Sequence, residues 1–556
     1  MKKSNYILIL LALVVFSCAK LKETPQSFIT QPQFYKTPTD AQQAVTACYF
    51  WLTVGDATTL GGSVNQTPYN VLFSTGMEMM TDDIDPGPGA TNPDVRSQSV
   101  LQHNSSGLRV LQIWQFCYAA IRASNIAIDN IPGIPFGTQT AQIALKNQYK
   151  AEAKVLRALW YFNLVRLYGA VPLVLHDQDV YNEAAIQVSR SPVDSVYAQI
   201  IRDLTYGIDS LPPSYTGANV GRVTSGAATA LLSKVYLTQR NWQEAATTAE
   251  KVISSGVYTL QTNYSTVFLP QYKNGTETIL AAQFKENSQG QGNGNAPRGF
   301  RSGVPGYTAS YADQLRYYHA DTGTTNPAID DFFSIYKYYN LNDQRRKYSF
   351  VTNILGSDGK YYSTLNAPTI KGSQGDTVPF LNKYFDPTVG SQLSESGANV
   401  HIIRYAEVLL IAAEAENELG NIGTAAGYLD QVRKRANNNV ANDIDFSVLS
   451  KVQFRDSVYL ERRLELVWEW QRWFDLIREI GDPSEPAPVI VNGYGTGQGL
   501  TFSGANDPHP LGGSGILYNS LQLVGKTSVE VPKHYLYPIP LQEIQLNPNL
   551  TQNPGW

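Results

Sequence analysis

The stretch LSKVYLTQRNWQEA, Leu232 to Ala245, decides how the chain is built. Leu232-Ser233 and Tyr236 read as part of a first helix. Asn241-Trp242-Gln243-Glu244-Ala245 then opens a second helix after a turn of only a few residues. The small residues let two helices approach closely, and the aromatics fill the remaining gaps. The same order returns at Ala412-Ala413, Ala415, Gly420-Asn421 and Ala425. Trp160 to Gly169 reads as the end of a first helix in a third copy. The two clearest copies stand 180 residues apart, Ala245 to Ala425, so the spacing predicts helical pairs but no continuous array.

These pairs resemble tetratricopeptide helix–turn–helix units, and the flanking sequence is helical too. Ala41, Ala44, Val45, Cys48 and Leu52 recur at helical steps, with Thr39 or Asp40 placed to cap. Leu111, Trp114, Tyr118, Ile121, Asn125 and Ile128 mark a second helix. Tyr149, Ala153, Leu156, Trp160, Leu164 and Leu167 mark a third, which Gly169 ends and Pro172 keeps from resuming. Ser191-Pro192 predicts a fourth, with Ser191 as N-cap, Pro192 at the first helical position and Asp194 near the positive end of the dipole. Residues 261–400 are rich in Gly, Asn, Tyr and Pro and hold no sustained helical period. The expected fold is all-α: one tetratricopeptide-like domain over 18–556, its scaffold at about 39–260 and 401–480, with irregular excursions at about 261–400 and 481–536. Loops of such length within a compact protein are usually functional or disordered.

Composition narrows the function. Of 556 residues 43% are hydrophobic, enough for a large core, but only 16% are charged, against about 25% in an ordinary domain. Ser, Thr, Asn, Gln and 34 tyrosines take the place of charge, a surface suited to neutral hydroxylated ligands rather than phosphates. A net charge of −4 argues against nucleic acid. Residues 1–17 read as an export signal: Lys2 and Lys3, then an apolar run from Tyr6 to Phe16, too short to span a bilayer. The run ends at Ser17-Cys18, which resembles a bacterial lipobox, although Phe16 stands where a small residue is usual. Cys18 is the expected lipidation site; an ordinary secretory signal with a chance cysteine is the alternative. Several acyl chains would anchor the chain durably. Cys48 and Cys117 sit on apolar helix faces and read as two buried free thiols, although the export route permits a disulfide.

Catalytic and cofactor motifs are missing. The six histidines are scattered without metal-ligand spacing, no G-x-S-x-G elbow occurs, and Gly525-Lys526-Thr527 lacks the leading glycine of a phosphate loop. No catalytic residue, metal or cofactor is expected. Glu461, Glu465 and Glu469 have the look of acid–base machinery, but their four-residue spacing puts them on one helix face. Arg462–Glu465, Glu469–Arg472 and Asp475–Arg478 then read as local structural pairs. Asp82, Asp83 and Asp85 read as a solvated turn; calcium is the weaker alternative.

Four blocks, in order, carry a resemblance: YKAEAKVLRALWYFNLVRLYGAVPLV (Tyr149–Val174), RYAEVLLIAAEAENELG (Arg404–Gly420), ERRLELVWEWQRWFDLIR (Glu461–Arg478) and YPIPLQEIQLNPNLTQNPGW (Tyr537–Trp556). With the lipoprotein start they resemble the SusD/RagB family of nutrient-binding outer-membrane lipoproteins. The chain departs at Trp470, where that family usually has Gly, and at Trp556, where Tyr is common; both swaps read as local. Only one acidic residue, Glu23, follows Cys18 closely, so surface display rests on the resemblance.

The resemblance implies a lipid-anchored protein of the cell outer membrane that binds nutrient, an oligosaccharide in the first reading, and delivers it to a SusC-like TonB-dependent transporter. Peptide cargo is the alternative within the family, and a surface glycosidase the alternative outside it. The resemblance also points to ligand loops at about Asp82 to His103 and Gln283 to Tyr318. In these, Asp83, Asn92, Arg96, Arg298, Tyr307, Tyr311 and Tyr317 are the candidate ligand-binding residues, with aromatic faces for sugar rings and polar groups for their edges.

Overall fold

The computed structural model describes residues 34–53, 67–81, 83–86, 92–99, 101–177, 182–286, 313–315, 318–319, 332–333, 335, 339–340, 342–351, 353–363, 380–386, 388, 396–440, 444–480 and 533–556. Cys18, Arg298, Tyr307, Tyr311 and Tyr317 lie outside them.

Helix α1 (Pro38–Thr53) buries Ala41, Ala44, Val45, Cys48 and Leu52, the face its periodicity marks. Its cap is Thr37 rather than Thr39 or Asp40. The Thr37 hydroxyl accepts from the Asp40 N–H at 3.3 Å, and Asp40 Oδ2 accepts from the Thr37 N–H at 2.7 Å. This reciprocal box satisfies two orphan donors at once. A short α2 (Pro93–Ser99) precedes α3 (Leu108–Asn130) and α4 (Thr140–Tyr168). Gly169 ends α4 at φ +71°, and Pro172 enters a two-residue strand, Val171–Pro172. That strand pairs Val171 with Ser191, so Ser191 is strand and Pro192 becomes the N-cap of α5 (Val193–Ser210). The expected cap is displaced by one residue because backbone pairing claims Ser191 first.

The repeat is real in detail. Helices α6 (Ser225–Thr238) and α7 (Trp242–Ser254) form one pair, α8 (Tyr405–Glu418) and α9 (Ile422–Ala436) another. In the first turn the Asn241 N–H donates to Tyr236 O at 3.0 Å and Arg240 to Leu237 O at 3.0 Å. In the second, Asn421 donates to Glu416 O at 2.8 Å and Gly420 to Asn417 O at 3.0 Å. Both are Schellman closures, with Arg240 and Gly420 in the left-handed region at φ +55° and +88°. The close approach of neighbouring helices is set by small side chains. A Cβ on Gly207 of α5 would stand 2.3 Å from the Val155 side chain of α4 and 3.2 Å from Ala228 of α6.

The expectation of no continuous array fails in space. Helix α4 packs on α5, α5 on α6, α6 on α7, α7 directly on α8, and α8 on α9 and α10 (Lys451–Glu465). The stack runs unbroken across the gap in the sequence. What closes the gap is a strand pair at the neck of the central excursion. The strands of the two loop regions and the neck include, in chain order, β1 (Ile84–Pro86), β2 (Thr278–Ala282), β3 (Asp313–Leu315), β4 (Phe350–Val351), β5 (Phe380–Leu381) and β6 (Val400–Arg404). Strand β2 leaves the scaffold and β6 returns beside it, antiparallel, pairing Ala282 with Val400 and Thr278 with Arg404. The chain therefore comes back to where it departed, and α8 continues the stack from the end of β6. The fold is mainly helical, and the excursion holds short strands where no helical period is present.

After α10 comes α11 (Arg472–Ile480), and residues 533–556 return to fasten on α3 and α4. The Tyr537 N–H donates to Leu167 O at 2.6 Å, and the Asn553 amide donates to Tyr168 O and Tyr537 O at 3.0 and 2.7 Å. Trp556 donates its indole N–H to Lys533 O and Leu536 O. Cys48 and Cys117 are free and buried. Burial pushes the Cys48 thiol up to about 12, so it is inert. Among the described residues no helix is long and apolar enough to cross a membrane.

Candidate functional site

The two loop regions expected to meet ligand are joined by hydrogen bonds. Strand β1, from the earlier loop, pairs antiparallel with β3, from the central excursion: Ile84 with Leu315, Asp85 with Gln314, Pro86 with Asp313. They form one edge of a four-stranded sheet in the order β1-β3-β5-β4. Segments about 230 residues apart in sequence thus share one small sheet, and Tyr311 and Tyr317 flank β3 in the sequence.

The earlier loop is pinned from below. Asp83 is 1% exposed and ion-paired with Arg463 of α10 at 2.6 Å, with Arg472 at 3.9 Å. The expected solvated turn is therefore corrected at Asp83: its carboxylate is a buried anchor rather than a solvent-facing ligand group. Asn92 Oδ1 accepts from the N–H groups of Asp94 and Val95 at 2.9 and 3.4 Å, so it starts α2 and is occupied in capping. Arg96 is half-buried on α2. Among the described residues no group of three or more His, Cys, Asp or Glu is arranged to hold a metal ion.

The central excursion is pinned to the same helix by a buried charge network that local spacing does not reveal. Glu465 accepts from Arg404 and Arg435 at 2.5 Å each and from Arg345 at 2.9 Å. Glu469 accepts from Arg404 at 2.8 Å and Lys383 at 2.5 Å. Glu277 bridges Arg404 at 2.7 Å and Arg435 at 3.0 Å. Arg345 also reaches Asp343 at 2.7 Å and Glu461 at 2.5 Å, and Glu461 takes Arg433 at 2.7 Å. The five cations Lys383, Arg345, Arg404, Arg433 and Arg435 are thus matched by the five carboxylates Glu277, Asp343, Glu461, Glu465 and Glu469. Asp343, Arg345 and Lys383 come from the excursion, Glu277 and Arg404 from its neck, the rest from the scaffold.

The structural reading of the three glutamates holds, but their expected partners do not. Helix α10 ends at Glu465, so Glu469 is off its face. Arg462 pairs with Asp475 at 3.0 Å instead of Glu465, and Arg472 faces Asp83 instead of Glu469; only Asp475–Arg478, at 3.1 Å, forms as read. Burial alone would raise the glutamates. At Glu469 the charges of Arg404 and Lys383 outweigh it and hold the carboxyl at about 2; at Glu465 the charges of Arg435, Arg404 and Arg345 hold it far below the usual carboxylate range. Groups so held are ill suited to general-acid work, which needs a carboxyl that keeps its proton near neutrality.

Aromatic rings close the network. Lys383 lies 4.7 Å from the Phe268 ring centroid and Arg435 5.0 Å from that of Tyr264. Trp470, 2% exposed, stacks on Tyr384 with an interplanar angle of 3°. Its φ is +58°, which explains why glycine suits this position in the family pattern; here burial of the indole offsets the strain.

Comparisons agree with this architecture. The model of the SusD family matches residues 267–556, and a model described as "Starch-binding associating with outer membrane" matches residues 64–237. The SusD-like protein P25 of Formosa agariphila is 26% identical, the match covering 100% of this chain and 98% of that protein. The crystal structure of a SusD superfamily protein from Parabacteroides distasonis is 27% identical and superposes with a TM-score of 0.68 over 93% of this chain and 99% of that one. A laminarin-binding SusD-like protein shares the fold at 23% identity, with a TM-score of 0.65 over 94% of this chain and 100% of that one. A matched model over more than half the chain, four ordered motif blocks and an unbroken helical stack with its clamped excursion lead to one conclusion: the protein belongs to the SusD family.

Proposed function

We propose that this protein is a lipid-anchored, non-catalytic glycan-binding protein of the outer membrane, which passes its ligand to a SusC-like TonB-dependent transporter. The observation that carries the reading is the β1–β3 pairing, which unites the two expected ligand loops over a charge-pinned base. Relatives of the same fold support the ligand class: one is titled laminarin-binding, and another, from Bacteroides thetaiotaomicron, is a surface glycan-binding protein in complex with laminarihexaose. The described family association with the outer membrane supports the location, and Cys18 supplies the anchor. Arg96, Arg298, Tyr307, Tyr311 and Tyr317 are the proposed contact set, with Asn92 and Asp83 holding the loop that carries Arg96. The ion-paired state of Glu461, Glu465 and Glu469 supports binding without turnover.

The test is a calorimetric titration of the soluble chain from Lys20 onward with a panel of glucans, alongside a reducing-sugar assay. Binding without release of sugar is expected, with single Tyr307→Ala, Tyr311→Ala and Tyr317→Ala substitutions each weakening it. Hydrolysis abolished by one carboxylate substitution, or binding by no glucan, overturns the proposal. A Cys18→Ala variant should leave the membrane fraction, and mild-detergent pull-down of the lipidated protein should recover a large barrel protein beside it.

A further inference from the structure

A hairpin grows out of the edge of the ligand-loop sheet. Strand β4 is that edge, and two residues past Val351 the chain enters Asn353–Leu355, which turns and returns as Tyr361–Ser363. Leu355 pairs with Tyr361 across the hairpin. The turn is tightly made. The Gly356 N–H donates to Lys360 O at 2.8 Å, the Gly359 N–H to Gly356 O at 3.0 Å, and the Lys360 N–H to Asp358 Oδ1 at 3.2 Å, with Gly359 at φ +78°. Tyr361 is 73% exposed, the most exposed aromatic ring among the described residues, and its cross-strand neighbour Leu355 is 51% exposed. A hydrogen-bonded turn therefore holds an apolar pair exposed, with none of the described residues laid over it.

We propose that Tyr361 and Leu355 form an outlying saccharide subsite that grips a long glycan whose body lies on the paired loops. The inference rests on the glycan-binding reading of those loops. The tyrosine ring offers a face for the C–H surface of a pyranose and a hydroxyl for its edge, while Lys360 and Asp358 in the turn supply polar company. Strand β4 stands two to three strand spacings, about 10–14 Å, from the paired β3 and β1, and Leu355 lies four residues further along the chain. A ligand must therefore be a chain to occupy both places. One Tyr–Leu pair falls well short of the roughly 800 Å² per partner that a stable protein interface needs, which favours a slender ligand over a protein surface. Because the turn is already fixed, little ordering cost is left when the ring is covered.

The experiment titrates the soluble full chain, Tyr361→Ala, Tyr361→Phe and Leu355→Ser with laminarin and starch, and with laminaritriose and maltotriose. The polymer that binds the wild type should bind more tightly than its trisaccharide. Tyr361→Ala should weaken that polymer about fivefold and leave the trisaccharide unchanged, with Tyr361→Phe close to wild type and Leu355→Ser between. Equal weakening of polymer and trisaccharide would place the ring in the central site and overturn the subsite. An unchanged polymer affinity in Tyr361→Ala overturns it too, and leaves the ring as a contact for protein. In both cases the glycan-binding reading survives; failure of the wild type to bind any of the four sugars removes that reading and the subsite together.

Discussion

The scaffold and the central excursion are held by different forces. Between α6 and α9 most contacts are small and apolar: Ala228, Ala245, Ala249, Ala412 and Ala425 are buried where helices meet, the turns close with backbone bonds helped by the Asn241 and Asn421 side chains, and a single buried ion pair among the described residues, Lys234 to Glu407 at 2.9 Å, joins α6 to α8. The excursion has few helices to pack. It is fastened through Arg345, itself held by Asp343, and through Lys383 to Glu461, Glu465 and Glu469, while Asp83 of the earlier loop is fastened to Arg463 of α10. An irregular excursion can thus be given a fixed seat without a regular core of its own. Each buried charge costs desolvation, and the multiple partners offset it only when every member of the network is present.

The largest effect should come from breaking the network at its centre. Glu465→Ala leaves Arg345, Arg404 and Arg435 facing one another without their shared carboxylate, and removing one partner of a buried pair costs about 3–5 kcal/mol. Urea unfolding of the soluble chain measures it. A loss under about 1 kcal/mol would mean that the arginines are satisfied by other means, and the contrast between the two regions would collapse.

Acid sharpens the same contrast without mutation. The depressed carboxyls of Glu469 and Asp475, each at about 2 when folded against 4.5 and 3.8 ordinarily, stabilise the fold fully above their ordinary values. That contribution is lost as pH falls through the window from about 4.5 to about 2. His401 at the neck acts in the same direction. Burial holds it neutral, down at about 4 from 6.5, among Glu469, Arg404, Lys383 and the Thr278 hydroxyl. Its contribution is present above 6.5 and fades as pH drops toward 4. Since apolar stacking does not titrate, near-neutral stability should fall first at the excursion. Hydrogen exchange at pH 7 and pH 4 should show residues 342–351 and 380–385 losing protection before α6 to α9. Simultaneous loss would join the two regions into one cooperative unit.

A single contact of the excursion should matter less than the hub. Arg345→Met keeps most of the volume but strands Asp343 and one oxygen each of Glu461 and Glu465, and about 2–3 kcal/mol is expected. The loss should come with glycan affinity weakened and α8–α9 protection intact. A global loss of protection would show that the excursion carries the scaffold rather than the reverse. The smallest effect belongs to the scaffold turn. A Cβ at Gly420 meets no atom within 4 Å, so Gly420→Ala carries only the left-handed backbone penalty, about 1 kcal/mol, with no change in glycan binding.

Read from residues alone, the helices came through because burial in a helix leaves a periodic trace. The buried face of α1, the stop at Gly169 and both helical pairs follow from local pattern, and Cys48 and Cys117 lie buried and free as their apolar neighbours indicate. Local spacing misleads where a distant partner competes for a group: Ser191 pairs in a strand instead of capping, and Arg462 passes over Glu465 for Asp475. The candidate site was legible only as two stretches of loop. That they pair as β1 and β3, that Asp83 is buried beneath them, and that Arg345 and Lys383 hold the excursion down depend on partners about 80 to 380 residues away in sequence.

The helical class, the repeated pair and the motif blocks of the family can be read from the chain alone, since each is written in spacings of a few residues. Only the tertiary structure decided that the stack is continuous through the neck of β2 and β6, and which carboxylate meets which guanidinium. Local periodicity records which face of an element is buried. A charge carries no such record of its partner, because Coulomb attraction in a dry interior chooses by distance in space rather than along the chain.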